Sequence, residues 1–140
     1  MVNLKHFTVE DAYHLGTRMS DEALASKLPI VIDIRSGDTP MFSVMLPGAT
    51  AENFDWARRK RNLTQLTEKD TWHLAQLRAE GKDPLVELKL DEKDYASHGG
   101  CIPVFVNNEL VATVTVSGLP QKEDHDFALK HIEAMASLRQ

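Results

Sequence analysis

The string Ser97-His98-Gly99-Gly100-Cys101 concentrates groups able to do chemistry. An imidazole can ligate a metal or a haem iron, or carry a proton near neutral pH. Paired glycines let the backbone take positive φ and let a ligand come close to it. Cys101, three residues from His98, raises a Cys–His nucleophile, but it heads an apolar strand pattern, where burial keeps a thiol inert. With one cysteine in the chain and no regular histidine spacing, zinc has no support. The plainer alternative is a structural turn carrying an incidental histidine.

A second group is Arg58-Arg59-Lys60-Arg61, close after Trp56. Consecutive helical positions point about 100° apart, so the four cations cannot serve one ligand. One reading is a solvated helix face. The other is a clamp for a carboxylate or phosphate, with Trp56 as a flat wall. Trp56, Arg59, Lys60 and Leu63 share a face, which the apolar Leu63 turns toward the core. Arg59 and Lys60 are therefore expected to be partly buried and paired, with Asp33 or a bound anion. Arg58 and Arg61 are expected to point outward.

Other groups are weaker. Ser117-Gly118 ends a strand before a helix, where free N–H groups suit an anion. Asp124-His125-Asp126 has the composition of an acid–base or metal cluster, but neighbours on a helix point apart, so an exposed polar first turn is expected. His14 and His131 flank apolar helical stripes and read as boundary histidines. The sequence holds no phosphate loop, dinucleotide fingerprint, HExxH or GxSxG motif.

The elements that must hold these groups follow from patterning. Thr8 caps a helix carrying Val9, Ala12, Tyr13 and Gly16 at helical spacing, ending by Pro29. Strands are expected over 30–35 and 41–46, joined by a loop slightly longer than the tightest types. Helices follow over 51–66 and from a cap at 67–70 to Gly81. The alternation of Leu85, Glu87 and Lys89 with Val86, Leu88 and Leu90 suggests a short strand. Residues 101–106 and 110–116 form a hairpin around Asn107-Asn108, since asparagine tolerates the left-handed conformation of tight turns. The second of these strands is uncharged on both faces and should be central. A final helix begins with Glu123-Asp124 and has Arg139 near its end, as the dipole prefers. Hairpins between helices imply an α+β fold with an antiparallel sheet.

A chain of 140 residues suits one domain, residues 1–140. Apolar residues make up 42% and charged residues 26%, as in ordinary globular proteins. Sixteen basic against twenty-one acidic residues, a net charge of −5, argue against a general nucleic-acid binder. The first residues lack the apolar run of a signal peptide, and no stretch approaches the roughly 20 apolar residues that cross a bilayer. One unpaired thiol suits a reducing compartment. A cytoplasmic protein with no membrane partner is expected.

Residues 94–104 and 113–125, with Gly99-Gly100 and Pro103 before the hairpin and Val116-Ser117-Gly118 and Asp124 after it, resemble the haem-degrading domain family typified by GlcG and HbpS. Val31-Ile32-Asp33-Ile34 with Gly37, and the helix from Trp56 to Asn62, are similar to its standalone branch of bacteria and yeast. The stretches 66–70 and 109–110 depart from the family pattern. The resemblance implies a profilin-like fold: a five-stranded antiparallel sheet flanked by helices, assembled into homo-oligomers. It also implies haem binding and, in some members, release of its iron. On that basis His98 is the expected ligand or proton donor and His14 the second candidate. Arg58, Arg59 or Lys60 would hold propionates, with Gly99, Gly100, Ser117 and Gly118 beside the ligand. Two other readings remain: a non-enzymatic oligomeric module for a protein partner or small anion, and an acid–base enzyme using His98 on a carboxylate-bearing metabolite.

Overall fold

The computed structural model describes residues 2–140. Strand β1 (Val2–Leu4) leads into helix α1 (Val9–Ala25), the hairpin β2 (Val31–Ser36) and β3 (Thr39–Met45), and helices α2 (Ala51–Thr67), α3 (Thr71–Ala79) and α4 (Pro84–Glu87). The hairpin β4 (Cys101–Val106) and β5 (Glu109–Ser117) and helix α5 (Gln121–Arg139) complete the chain. The sheet runs β1-β4-β5-β2-β3, so β5 is its central strand.

The α+β class and the five-stranded sheet between helices are as expected, with one correction to the antiparallel sheet. β1 pairs with β4 in parallel, Val2 opposite Val104, which makes the sheet mixed. Three residues carry too little pattern to be read as a strand; their partner strand makes them one. The strand expected over 85–90 is another correction. Asp83 accepts from the Leu85 N–H at 3.0 Å, and Pro84 occupies the first turn, so the segment opens as the short helix α4.

Local signals placed most other ends. Thr8 caps α1 through a reciprocal box: its Oγ accepts from Asp11 N at 3.1 Å, and Asp11 Oδ2 accepts from Thr8 N at 2.8 Å. Asn107 and Asn108 hold φ of 52° and 64°, the geometry of the tightest hairpin turns. The β2–β3 turn is tighter than expected. Ser36 pairs with Thr39, and a bulge at Ile34/Arg35 absorbs the offset before Pro40.

Alternation along the strands separates two unlike faces. Ile32, Ile34, Ile102, Val104, Val114 and Val116 point toward α1 and α5, forming the core with Leu15, Met19, Ala128 and Ile132. Each large aliphatic chain so buried contributes roughly 1.5–3 kcal/mol. The opposite face carries Asp33, Thr113, Thr115 and Cys101, all buried. Against this polar layer α2 lays Lys60, Arg61 and Thr64, also buried. Placing ionisable groups inside is costly unless they are paired, so this face dictates which α2 side chains must meet which strands.

Candidate functional site

The segment 88–100 has no regular structure and is strapped along α2 and α3. Arg58 donates to Asp94 Oδ1 at 2.9 Å and to the Lys93 carbonyl at 2.8 Å. Asn62 donates to the Asp94 carbonyl, Ala96 N to the Arg59 carbonyl, and Arg78 Nε to the Ser97 carbonyl. Gly99 N donates to Gln121 Oε1 at 2.9 Å, which ties the strap to the start of α5. These bonds deliver His98 to a cleft of about 240 Å³, shared with Asn53, Trp56, Lys60, Ser117, Gly118, Leu119, Gln121 and Asp124.

His98 meets Trp56 edge-on, with ring centres 5.0 Å apart. Its Nδ1 is buried without a hydrogen-bond partner. With Nδ1 sealed in, Nε2 is the ring nitrogen that can face a ligand. Burial, reinforced by Arg78, Lys60 and Arg59, lowers the His98 pKa and favours neutral imidazole. The Arg59 guanidinium lies 4.2 Å from the Trp56 ring centre, in cation–π contact. Its Nε is buried and unpartnered.

Lys60 forms one wall. Its Nζ donates to the Val116 carbonyl and to Asp124 Oδ2, both at 3.2 Å. The two side chains are 4% and 2% exposed. Asp124 Oδ1 accepts from Leu119 N at 3.0 Å. Burial pushes the Asp124 carboxyl up to about 6 against the pull of Lys60, and burial lowers the Lys60 ammonium. Two of its three ammonium hydrogens are spent on these acceptors.

Glycine is required at two points of the rim. At Gly100, φ is 139°, and a Cβ would strike the Val116 carbonyl and come within 2.8 Å of Lys60 Nζ. At Gly118, φ is 144°, and a Cβ would strike the Pro29 carbonyl. Both backbones are therefore held against their neighbours.

The fold brings His98, Gly99, Gly100, Lys60, Ser117 and Gly118 to one locality, with Arg59 beside it on Trp56. His14 stands apart. It is exposed on α1, in a groove of about 220 Å³ with Arg18, Met135, Leu138 and Arg139. The order of the basic run needs correction. Arg61, expected outward, is buried and donates to Asp33 Oδ2 at 3.1 Å, so Asp33 belongs to Arg61 and not to Arg59 or Lys60. Arg58 does point outward, held by Asp55 and Asp94. Leu63 is buried as expected, and the buried face of α2 extends to Arg61 and Thr64, because Asp33 on the polar sheet face takes Arg61 as its partner.

Asp124 and His125, expected in an exposed first turn, are buried. Asp124 turns inward because its carboxylate accepts from Leu119 N, ahead of the N-cap Pro120, and from Lys60, contacts made across the fold that the local sequence pattern does not announce. Cys101 is sealed in β4, where Thr115 donates to its Sγ at 3.2 Å and burial pushes the thiol up to about 11. It is no nucleophile. Among the described residues no three His, Cys, Asp or Glu side chains cluster to hold a metal, and no helix is long and apolar enough to cross a membrane.

A family model described as "Haem degrading protein HbpS-like" matches residues 7–133. The UPF0303 protein of Azotobacter vinelandii is 34% identical over 99% of this chain and 84% of its own length. That of Rhizobium rhizogenes is 39% identical over 93% and 79%. Among solved structures, the Ybr137w protein superposes with a TM-score of 0.89 at 27% identity, covering 97% of this chain and 82% of that one. A PduOC:heme complex superposes with a TM-score of 0.77 at 21% identity, covering 91% and 94%, a likeness of fold.

Proposed function

This chain belongs to the HbpS-like family of haem-degrading proteins, and from that premise we propose that it binds haem at the His98 cleft. The observation that carries the reading is His98 itself, an imidazole lining the cleft beside Trp56, with Nδ1 sealed and a lowered pKa that favours the neutral ring. Haem needs an apolar slot, an axial ligand, which an imidazole can be, and cations for its propionates, and these residue types fit it. His98 is the iron ligand or proton donor. Trp56 supplies the surface, and Arg59, which pairs with no acid among the described residues, meets a propionate with Lys60 behind it. Gly99, Gly100, Ser117 and Gly118 form a close-packed rim. Bound haem supplies the iron and the oxygen chemistry. The reading includes a cytoplasmic setting, supported by the single thiol. It also includes assembly with copies of the same chain, supported by exposed Val9, Tyr13 and Leu138 and tested by light scattering.

Titration with haemin, followed by absorbance, tests the site. A one-to-one complex with a sharp Soret band is expected, shifted or weakened in His98→Ala and kept in His14→Ala. Featureless partition, or a band lost only in His14→Ala, overturns it.

The cleft's volume favours a second reading. At about 240 Å³ it is below the roughly 300–1,000 Å³ of sites that enclose drug-sized ligands, so it admits an edge of the macrocycle or a whole small anion. A non-enzymatic module holding a small carboxylate on Arg59 and Lys60 would bind acetate or a dicarboxylate without haemin.

A further inference from the structure

The His98 cleft depends on a segment with little of its own to hold it. Between Leu88 and Gly100 the buried residues are Ala96, Ser97, Gly99 and Gly100, all small, while Leu88 is 50% exposed. Burial of so little apolar surface does not fix the path of a strap. Polar tethers must, and the most extensive comes from a side chain outside the cleft.

Arg58 holds the strap with all three nitrogens of its guanidinium. Nη1 donates to Asp94 Oδ1 at 2.9 Å and Nη2 to the Lys93 carbonyl at 2.8 Å. Nε and Nη2 also donate to Asp55 Oδ1, one turn back on α2, at 3.2 and 3.1 Å, which aims the fork. One turn on, Asn62 donates to the Asp94 carbonyl at 2.9 Å, so Asp94 is gripped at side chain and backbone. Arg58 does not line the cleft. Its side chain is 38% exposed, and those of Asp55 and Asp94 are more so. Exposed ion pairs add little to global stability. A clasp of this kind acts on local order: it sets how often the strap leaves α2, not whether the protein folds. Four residues beyond Asp94 the strap carries His98, edge-on to Trp56. Trp56 and Arg58 belong to the same helix, so the clasp ties the imidazole to the frame that carries its ring partner.

We propose that Arg58 is a positioning residue for this cleft: it touches no ligand, and by clasping the strap at Lys93 and Asp94 it keeps His98 against Trp56. Arg58 thus acts through His98 and not on a propionate. That the positioned imidazole serves haem rests on the haem reading; that Arg58 positions it does not.

The test compares Arg58→Ala and Asp94→Ala with Lys130→Ala, which removes an exposed ion pair between α5 and α1. Alanine suits a helix interior, so α2 is kept in Arg58→Ala and the urea midpoint should stay near that of the wild type. The Ala96 and Gly99 amides bond to the Arg59 carbonyl and to Gln121. Their hydrogen exchange should accelerate about tenfold or more in Arg58→Ala. The His98 ring protons, shifted in NMR spectra by the Trp56 ring, should move toward the positions of free histidine. Haemin affinity should fall about tenfold as the fraction of molecules with His98 in place falls. Asp94→Ala should act in the same direction, and Lys130→Ala should leave exchange, ring shifts and affinity unchanged. Wild-type exchange and ring shifts in Arg58→Ala overturn the proposal, as does a loosened strap with unchanged haemin affinity. If the wild type takes up no haemin, the haem reading fails, and exchange and ring shifts still decide the role of Arg58.

Discussion

Lys60 of α2 and Asp124 of α5 meet at 3.2 Å, both sealed from solvent, and join the helix on the polar face of the sheet to the first turn of the helix on the apolar face. The same contact walls the His98 cleft. Removing one partner strands a buried charge. Lys60→Met and Asp124→Leu should each destabilise the protein by about 3–5 kcal/mol, and the double variant by clearly less than the sum. Urea unfolding measures all three, and additive losses would show that the two groups do not act as a pair.

The four consecutive cations should separate sharply. Arg61→Ala leaves Asp33 buried with only Arg35 to balance it, and a loss of about 1–3 kcal/mol is expected. Arg58→Ala removes exposed ion pairs and should change stability by no more than about 1 kcal/mol. Denaturant midpoints of the two variants, taken side by side, decide this; equal effects would contradict the burial order.

Gly100→Ala should be among the more damaging single methyl additions. The left-handed backbone and the contact with the Val116 carbonyl both oppose it, at a cost of about 1–3 kcal/mol. The cleft-facing Lys60 must shift as well, so haemin binding should weaken alongside the melting temperature. A variant with wild-type stability and binding would refute the close packing.

Acid should act on two buried groups in opposite senses. His98 has a folded pKa below its ordinary 6.5, so the stability it contributes is present above 6.5 and is lost as pH falls through the folded value. Asp124 is raised from 3.8 to about 6, so its contribution is present below 3.8 and is lost as pH rises through about 6. His98→Gln should therefore lose less stability than wild type between pH 7 and 5, by urea unfolding at each pH. An unchanged difference between the two pH values would show that His98 does not titrate with folding.

The sequence by itself determined what local physics determines. Thr8 with Asp11 set the start of α1, Asn107-Asn108 set the β4–β5 turn, and the uncharged faces of residues 110–116 put that strand at the centre. The family was legible in the glycine–proline and Val-Ser-Gly strings because strained turns admit few residues. The basic run announced that a buried cation needs a partner, with Asp33 as one candidate. Which cation answered was decided by tertiary structure: the docking of α2 on the polar sheet face turned Arg61 to Asp33 and Lys60 to Asp124, residues 28 and 64 positions away. β1 became a strand only because the edge of β4 was there to pair with it. The His98 cleft is likewise tertiary, since a strap, a helix and a strand end reach it through contacts that no local pattern encodes.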